Sequence, residues 1–240
     1  MITTNPLETN EIQPERPLPT LWQRRDIWQI SLLFIFLYLV GNVVAALISG
    51  DNQLLLTVNI LLLSALAGCG SILLINRRRQ RHSWQQLGFI RFNRYWFMVG
   101  SGLILAVSVG RGLLLSWLAV RFPALTWGTD MLTEALLFEA PAAMLVSTLA
   151  AVLVVPLWEE FFFRGFIHNA LRNRLGLWAA ILLSSLLFGL FHIIPLQALG
   201  AFLLAIPLAW AYEKSGSLWL VIYLHALNNL IAFLLAFAIG

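Results

Sequence analysis

Apolar residues lie in long blocks along this chain, not in the short alternations typical of soluble helices and strands. Nearly unbroken runs occupy residues 27–49, 54–75, 96–120, 142–163, 177–194, 199–212 and 217–239. All but one reach 18 residues, the length at which an apolar stretch reads as a membrane-crossing helix. In hydrocarbon every backbone N–H and C=O needs an internal partner, and a helix supplies one for each. The pattern predicts an all-α, polytopic membrane helix bundle of about seven spans, with six to eight as the bracket. The 199–212 run is short and contains Pro207, which predicts a tilted, broken or re-entrant segment. Residues 131–139, "MLTEALLFE", read as a short amphipathic helix in the external interface.

Residues 1–25 are polar, with Pro6, Pro14, Pro17 and Pro19, and predict a flexible cytoplasmic tail ahead of a membrane domain over 26–240. A cleavable signal peptide would place a shorter apolar core nearer the start, so the 27–49 run is expected to persist as a span. Composition agrees. The chain is 60% hydrophobic and 11% charged, against about 45–50% and about 25% in soluble domains. Its net charge of +4 comes from placement. Thirteen of the fifteen basic residues fall on one side of a seven-span arrangement, with Arg77, Arg78, Arg79, Arg81, Arg91 and Arg94 in one loop. The opposite loops hold Asp51, Asp130, Glu134 and Glu139. The positive-inside bias then predicts a multi-pass protein of the cell membrane, N-terminus in the cytoplasm, with lipid as partner and no nucleic acid. The segment 82–92, "HSWQQLGFIRF", reads as an interfacial anchor on anionic lipid, with substrate docking as the lesser alternative. The single Cys69 gives no disulfide.

Against this apolar background a few polar side chains stand out, because a charge in a spanning helix costs at least about 2.5–3.5 kcal/mol at its centre. They are Glu159, Glu160 and Arg164 in "VPLWEEFFFRGFIHN", His192 in "FGLFHII", and His225, Asn228 and Asn229 in "LHALNN". Glu160 and Arg164 are four apart, share a helix face in the favourable order, and read as an ion pair. Glu159 is rotated about 100° from Glu160 and must find company on another span. If one helix runs from about 142 to 172 and returns from 177 after a turn, Glu159 and His192 both lie roughly 22–26 Å from that turn. His225 and Asn229 share one face of the last span. His168 and His82 read as surface residues. Arg111 either snorkels outward or pairs with Glu134 or Glu139. Ser184 and Ser185 are expected to bond back to their own helix.

In order, Glu159-Glu160-x-x-x-Arg164, Phe188-x-x-x-His192 and His225-x-x-x-Asn229 resemble the motifs of the CAAX-protease and bacteriocin-processing intramembrane protease family, over about residues 142–232. The resemblance implies a membrane-embedded endopeptidase acting on a protein or peptide substrate. It implies that Glu159 and His192 bind and activate a water, that His225 and Asn229 stabilise the oxyanion, and that Glu160 and Arg164 support them. The eukaryotic members trim prenylated C-terminal tetrapeptides, and nothing in this sequence points to a prenyl group.

The residues leave the metal question open. Glu159, His192 and His225 are candidate ligands for a divalent metal such as zinc with a fourth position for water; equally, Glu159 and His192 hold water with no metal. There is no HExxH pair. Two rival functions share these polar residues: an ion- or proton-coupled transporter, which the lack of an internal repeat disfavours, and a non-catalytic membrane adaptor retaining the site.

Overall fold

The computed structural model describes residues 21–80, 82–129 and 141–239. All regular structure among them is helical. We number seven helices: α1 (Arg24–Ser49), α2 (Gln53–Ile75), α3 (Arg94–Arg121), α4 (Pro141–Leu175), α5 (Leu177–Leu190), α6 (Pro195–Ser215) and α7 (Leu218–Ile239). All but α5 are long and apolar enough to cross a membrane. Most of Arg16's segment, Arg81, and the expected interfacial helix at 131–139 with Asp130, Glu134 and Glu139 lie outside the described residues.

Local sequence explains where the helices begin. Asn52 and Asn93 each stand just before a helix and accept a hydrogen bond from a first-turn amide, Leu55 N at 2.9 Å and Trp96 N at 3.0 Å. Once started, the apolar runs continue because the bilayer leaves the backbone no other partner. Pro207 does not interrupt α6, which is continuous over 21 residues. The short, broken or re-entrant segment expected there is therefore a full-length helix. Its flanks, Pro195–Ala198 and Glu213–Ser215, are too polar to count as an apolar run yet extend the helix.

Helix α4 is the axis of the fold. It is 35 residues long, about 50 Å at helical rise, against a hydrocarbon thickness of about 30 Å. It is not uniformly α-helical: Ala150–Val154 and Phe161–His168 are wide π-helical turns, the second beginning directly after Glu160. Such turns in membrane helices often accompany functional sites. At its end Gly176, with φ +83°, allows the chain to reverse into α5. The helix–turn–helix expected from 142 through 194 is thus present.

The remaining helices enclose α4. Helices α2, α5 and α7 pack along it, α1 pairs with α2, and α3 lies against α6 and α7. Close approach depends on small residues, as is usual where helices meet without a hydrophobic driving force. At Gly189 of α5, an added Cβ would lie 2.7 Å from Ala198 O and 2.8 Å from Phe202 Cβ of α6. The interior is aromatic: Phe161, Phe162, Phe163 and Phe166 are all buried, and Phe34 of α1 stacks on Phe162 with ring centroids 4.1 Å apart. Outside, Trp28, Phe36, Leu47, Leu113 and Val120 are exposed, the surface expected of helices bathed in lipid.

Segments flanking the spans also dock. Leu21 and Trp22, within the stretch read as tail, are buried, and Trp22 Nε1 donates to Gly165 O at 2.9 Å. The loop read as an interfacial anchor is tied to the start of α7: Leu218 N donates to Gly88 O at 2.7 Å and Ser217 Oγ to Ile90 O at 2.6 Å. Trp84 remains exposed, while Phe89 packs against Phe161 and Trp219.

Candidate active site

The two glutamates end a short α-helical stretch, Val155–Glu160, inside α4. Both are buried, as is Arg164. Glu160 Oε2 lies 3.1 Å from Arg164 Nε, so the pair expected from the i,i+4 spacing is present. Arg164 has two further partners. Its Nη2 donates to Ala205 O of α6 at 3.1 Å, and its guanidinium lies over the ring of Phe188, 4.9 Å from the centroid.

Glu160 does more than hold the arginine. Its other oxygen, Oε1, lies 2.7 Å from His225 Nδ1 on α7. The carboxylate therefore bridges two helices, a link that no spacing along the sequence discloses. His225 Nε2 in turn points to Glu159, 3.8 Å from Oε2, which is too long for a direct hydrogen bond. Glu159 Oε2 is buried and makes none with any described residue. Arg164 Nη1 and Trp158 Nε1 are likewise buried without a hydrogen bond among the described residues, but of the site's buried carboxylate oxygens only Glu159 Oε2 there lacks both a hydrogen bond and a cation within 3.5 Å.

His192 sits in the turn that follows α5. Its Nδ1 bonds Phe188 O at 2.9 Å. A carbonyl oxygen only accepts, so the proton is on Nδ1, and Nε2, which bonds none of the described residues, presents its lone pair. Phe188 connects the two imidazoles: its ring centroid lies 5.0 Å from that of His192 and 5.8 Å from that of His225. The next residue, Ile193, has φ +51°. A β-branched side chain rarely adopts that conformation, and such strain concentrates at functional sites.

Asn229 lies one turn beyond His225. Its Nδ2 donates to Ala151 O on α4 at 2.9 Å, and its Oδ1 accepts from Asn228 Nδ2 at 3.1 Å. One of its two N–H groups is left over. The structure thus brings Glu159, Glu160, Arg164 and His225 into one contiguous set, joins His192 to it through Phe188, and places Asn229 one turn along α7.

Three-ligand metal binding does not follow from this arrangement. Among the described residues, no group of three or more His, Cys, Asp or Glu side chains is disposed to hold a metal ion.

Other readings change as well. His168 is not a surface residue: it is fully buried, with Nε2 2.8 Å from Glu213 Oε1 and Nδ1 3.2 Å from Ser184 Oγ, and Glu213 also takes Arg172 Nε at 2.8 Å. His82 is half-buried, its Nε2 3.1 Å from Leu21 O. Arg111 neither snorkels nor meets a described carboxylate; it bonds Asn228 Oδ1 at 2.8 Å. Ser184 bonds back to Ile181 O as expected, whereas Ser185 Oγ is buried with no partner among the described residues. The missed signals were Glu213, three residues before Gly216 and easily taken for a helix-end surface charge, and Asn228, noted beside His225 without a role.

The comparisons with known proteins address the same segment. Residues 141–231 match the family model described as type II CAAX prenyl endopeptidase Rce1-like. No curated protein and no solved structure matches the chain. The matched residues run from the start of α4 to the far side of Asn229, and so contain every polar group of the site. Over that segment the chain is similar to the type II CAAX prenyl endopeptidase, Rce1-like family, in line with the resemblance carried by its motifs.

Proposed function

We propose that this protein is an intramembrane endopeptidase of the CAAX-protease type, in which Glu159 is the general base for hydrolysis of a peptide bond. The observation that carries this reading is Glu159 Oε2, buried without a hydrogen bond 3.8 Å from His225 Nε2. A buried carboxylate oxygen is costly to leave unpaired unless substrate or water completes it.

Charge balance narrows the chemistry. With both glutamates ionised and Arg164 and His225 cationic, the site is neutral. With Glu159 protonated and His225 neutral, it is neutral as well. The two states differ only in whether one proton sits on Glu159 Oε2 or His225 Nε2. In the first, Glu159 is a base and His225 is a donor, the combination that amide hydrolysis requires. Glu160 is the counter-charge that such an imidazolium faces through Nδ1.

The reaction then runs as follows. A water held by Glu159 and the Nε2 lone pair of His192 attacks the scissile carbonyl carbon. Glu159 takes the water's proton as the C–O bond forms. The carbonyl oxygen becomes an oxyanion, met by His225 Nε2–H and the spare N–H of Asn229. The C–N bond breaks, and Glu159 returns the proton to the departing amine. Phe161, Phe162, Phe163 and Phe188 keep bulk water out, so each of these contacts acts in a low dielectric. Glu160 and Arg164 hold the α4 side of the site to α7 and α6. The site is read as opening toward the cytoplasm, consistent with the basic tip Arg172 and Arg174 at the end of α4.

The test is turnover of internally quenched peptides by purified protein in lipid nanodiscs. One peptide ends in a farnesylated-cysteine tetrapeptide and its control lacks the prenyl group. Glu159→Gln should lose roughly a thousandfold in kcat, the scale of a removed base. Equal cleavage by a folded Glu159→Gln protein would end the proposal.

A further inference from the structure

Arg111 is a cation within the apolar length of α3, and the chemistry above makes no use of it. Its guanidinium is turned inward. Nη2 donates to Asn228 Oδ1 at 2.8 Å and Nη1 to Gly200 O at 3.3 Å. The lack of a side chain at position 200 lets α6 come this close, since a Cβ there would lie 2.9 Å from Leu115 Cδ1 and 3.6 Å from Arg111 Nη1. Ser108 Oγ, on the same face of α3, donates to the same Asn228 oxygen at 3.1 Å. Asn228 Nδ2 then donates to Asn229 Oδ1 at 3.1 Å, and Asn229 Nδ2 to Ala151 O at 2.9 Å.

This chain of bonds has a direction, set by its first member. A guanidinium offers donors only, so Asn228 must present its oxygen to Arg111. The Asn228 amino group then faces Asn229, which must answer with its own oxygen. The Asn229 amino group is thereby held toward α4, where Ala151 O takes one N–H and leaves the other for a ligand. Without a donor-only group at the head, either amide could turn over and offer its oxygen where a developing negative charge would sit. Hydrogen bonds in series also polarise one another in a low dielectric, and a positive charge at the head strengthens the last donor.

We propose that Arg111 is a positioning residue for Asn229: acting through Asn228, it fixes the orientation of the Asn229 amide and its strength as a donor. The inference rests on the reading of Asn229 as an oxyanion donor. It also gives a reason for an arginine at this depth of α3 that packing alone does not.

A double-mutant cycle separates the two ideas. Arg111→Met, Arg111→Lys, Asn228→Ala, Asn229→Ala and the Arg111→Met/Asn229→Ala double variant are compared in turnover of the farnesylated quenched peptide and in thermal unfolding midpoint. Asn229→Ala should lose roughly 10²–10³ in kcat, as for a removed oxyanion donor. Arg111→Met should lose about tenfold in kcat with KM unchanged, Arg111→Lys less, and Arg111→Met should cost nothing further once Asn229 is gone. An equal loss in both backgrounds, or a loss in KM alone, overturns the relay while leaving Asn229 in place. An Asn229→Ala protein as fast as the parent instead sinks the oxyanion reading. Should Arg111→Met not fold, Asn228→Ala in the same cycle gives the same decision. If the parent does not cleave this peptide, additive midpoint shifts for Arg111→Met and Asn229→Ala overturn the relay, and non-additive shifts support it.

Discussion

His225 Nδ1 lies 2.7 Å from Glu160 Oε1, joining residues 65 positions apart through the one carboxylate that also holds Arg164. Glu160 is therefore shared between a permanent cation and a titratable ring. Its neighbour Glu159, one position earlier, has no hydrogen bond on Oε2 among the described residues. Adjacent identical residues thus stand in opposite surroundings.

Substitution should separate them. Glu160→Gln leaves Arg164 as a buried cation without its counter-charge and removes the acceptor of His225. Breaking such a pair costs about 3–5 kcal/mol. Glu159→Gln keeps shape, removes a buried charge without a hydrogen bond, and offers an N–H toward His225 Nε2. It should change stability by less than about 1 kcal/mol, in the stabilising direction, while abolishing turnover. Unfolding midpoints in one detergent decide this, and a Glu159→Gln protein as unstable as Glu160→Gln would contradict it.

Trp22 tests whether the segment ahead of α1 serves the site. Its Nε1 donates to Gly165 O, inside the wide turn that follows Glu160, and its ring meets Phe166 edge-on at 5.8 Å. Trp22→Phe keeps most of the ring but loses the hydrogen bond. Gly165 O retains Asn169 Nδ2 at 3.1 Å, so the loss should be about 1 kcal/mol, seen as a lower midpoint with KM unchanged.

These links explain what sequence could and could not disclose. The spans were legible because hydrocarbon forces backbone pairing within each segment, so apolar length alone announces a helix. The Glu160–Arg164 pair was legible because it obeys helical spacing. Helical rise gave only the expectation that Glu159 and His192 lie at similar depth on either side of the Gly176 turn. By contrast, the bridge from Glu160 to His225 depends on how α7 lies against α4, which spacing does not encode. Pro207 misled because isolated-helix rules weaken where neighbouring helices and lipid enforce helicity. The inward turn of Arg111 and the burial of His168 escaped the sequence for one reason: each finds partners on helices far away in sequence, Asn228 and Glu213.

His168 supplies a direct check on that last point. A surface histidine can be replaced within about 0.5 kcal/mol. Here His168→Phe strips Ser184 and Glu213 of a buried partner, leaving Glu213 with Arg172 alone. A destabilisation of about 1–3 kcal/mol is expected. Protein that remains folded should keep its kcat, because the His168 cluster is separate from the bonds joining Glu159, Glu160 and His225.

Gly189 lies three residues before His192, where α5 crosses α6. An added methyl would sit 2.7 Å from Ala198 O and 2.8 Å from Phe202 Cβ, and neither is the tip of a flexible side chain. Gly189→Ala must push the helices apart at a cost of about 1–3 kcal/mol. Because His192 follows in the next turn, kcat should fall more than the population of folded protein does. Activity normalised to folded protein measures this, and an unchanged normalised kcat would show that the crossing does not position His192.

Metal dependence can be decided from the same preparation. A three-ligand centre would need Glu159, His192 and His225 on one ion, and among the described residues no three such side chains are disposed to hold one. A water shared between Glu159 and His192 asks for no such convergence. Purified protein should therefore carry much less than one zinc per chain by elemental analysis, and prolonged chelation should lower turnover less than twofold. Zinc near one per chain that disappears in Glu159→Gln would show instead that the three side chains close on an ion, and the role of Glu159 would change from base to ligand. The unfolding midpoint adds an independent reading. A resident metal stabilises the folded state by mass action, so chelation would lower the midpoint; with Glu159 as base, the midpoint should be the same with and without chelator.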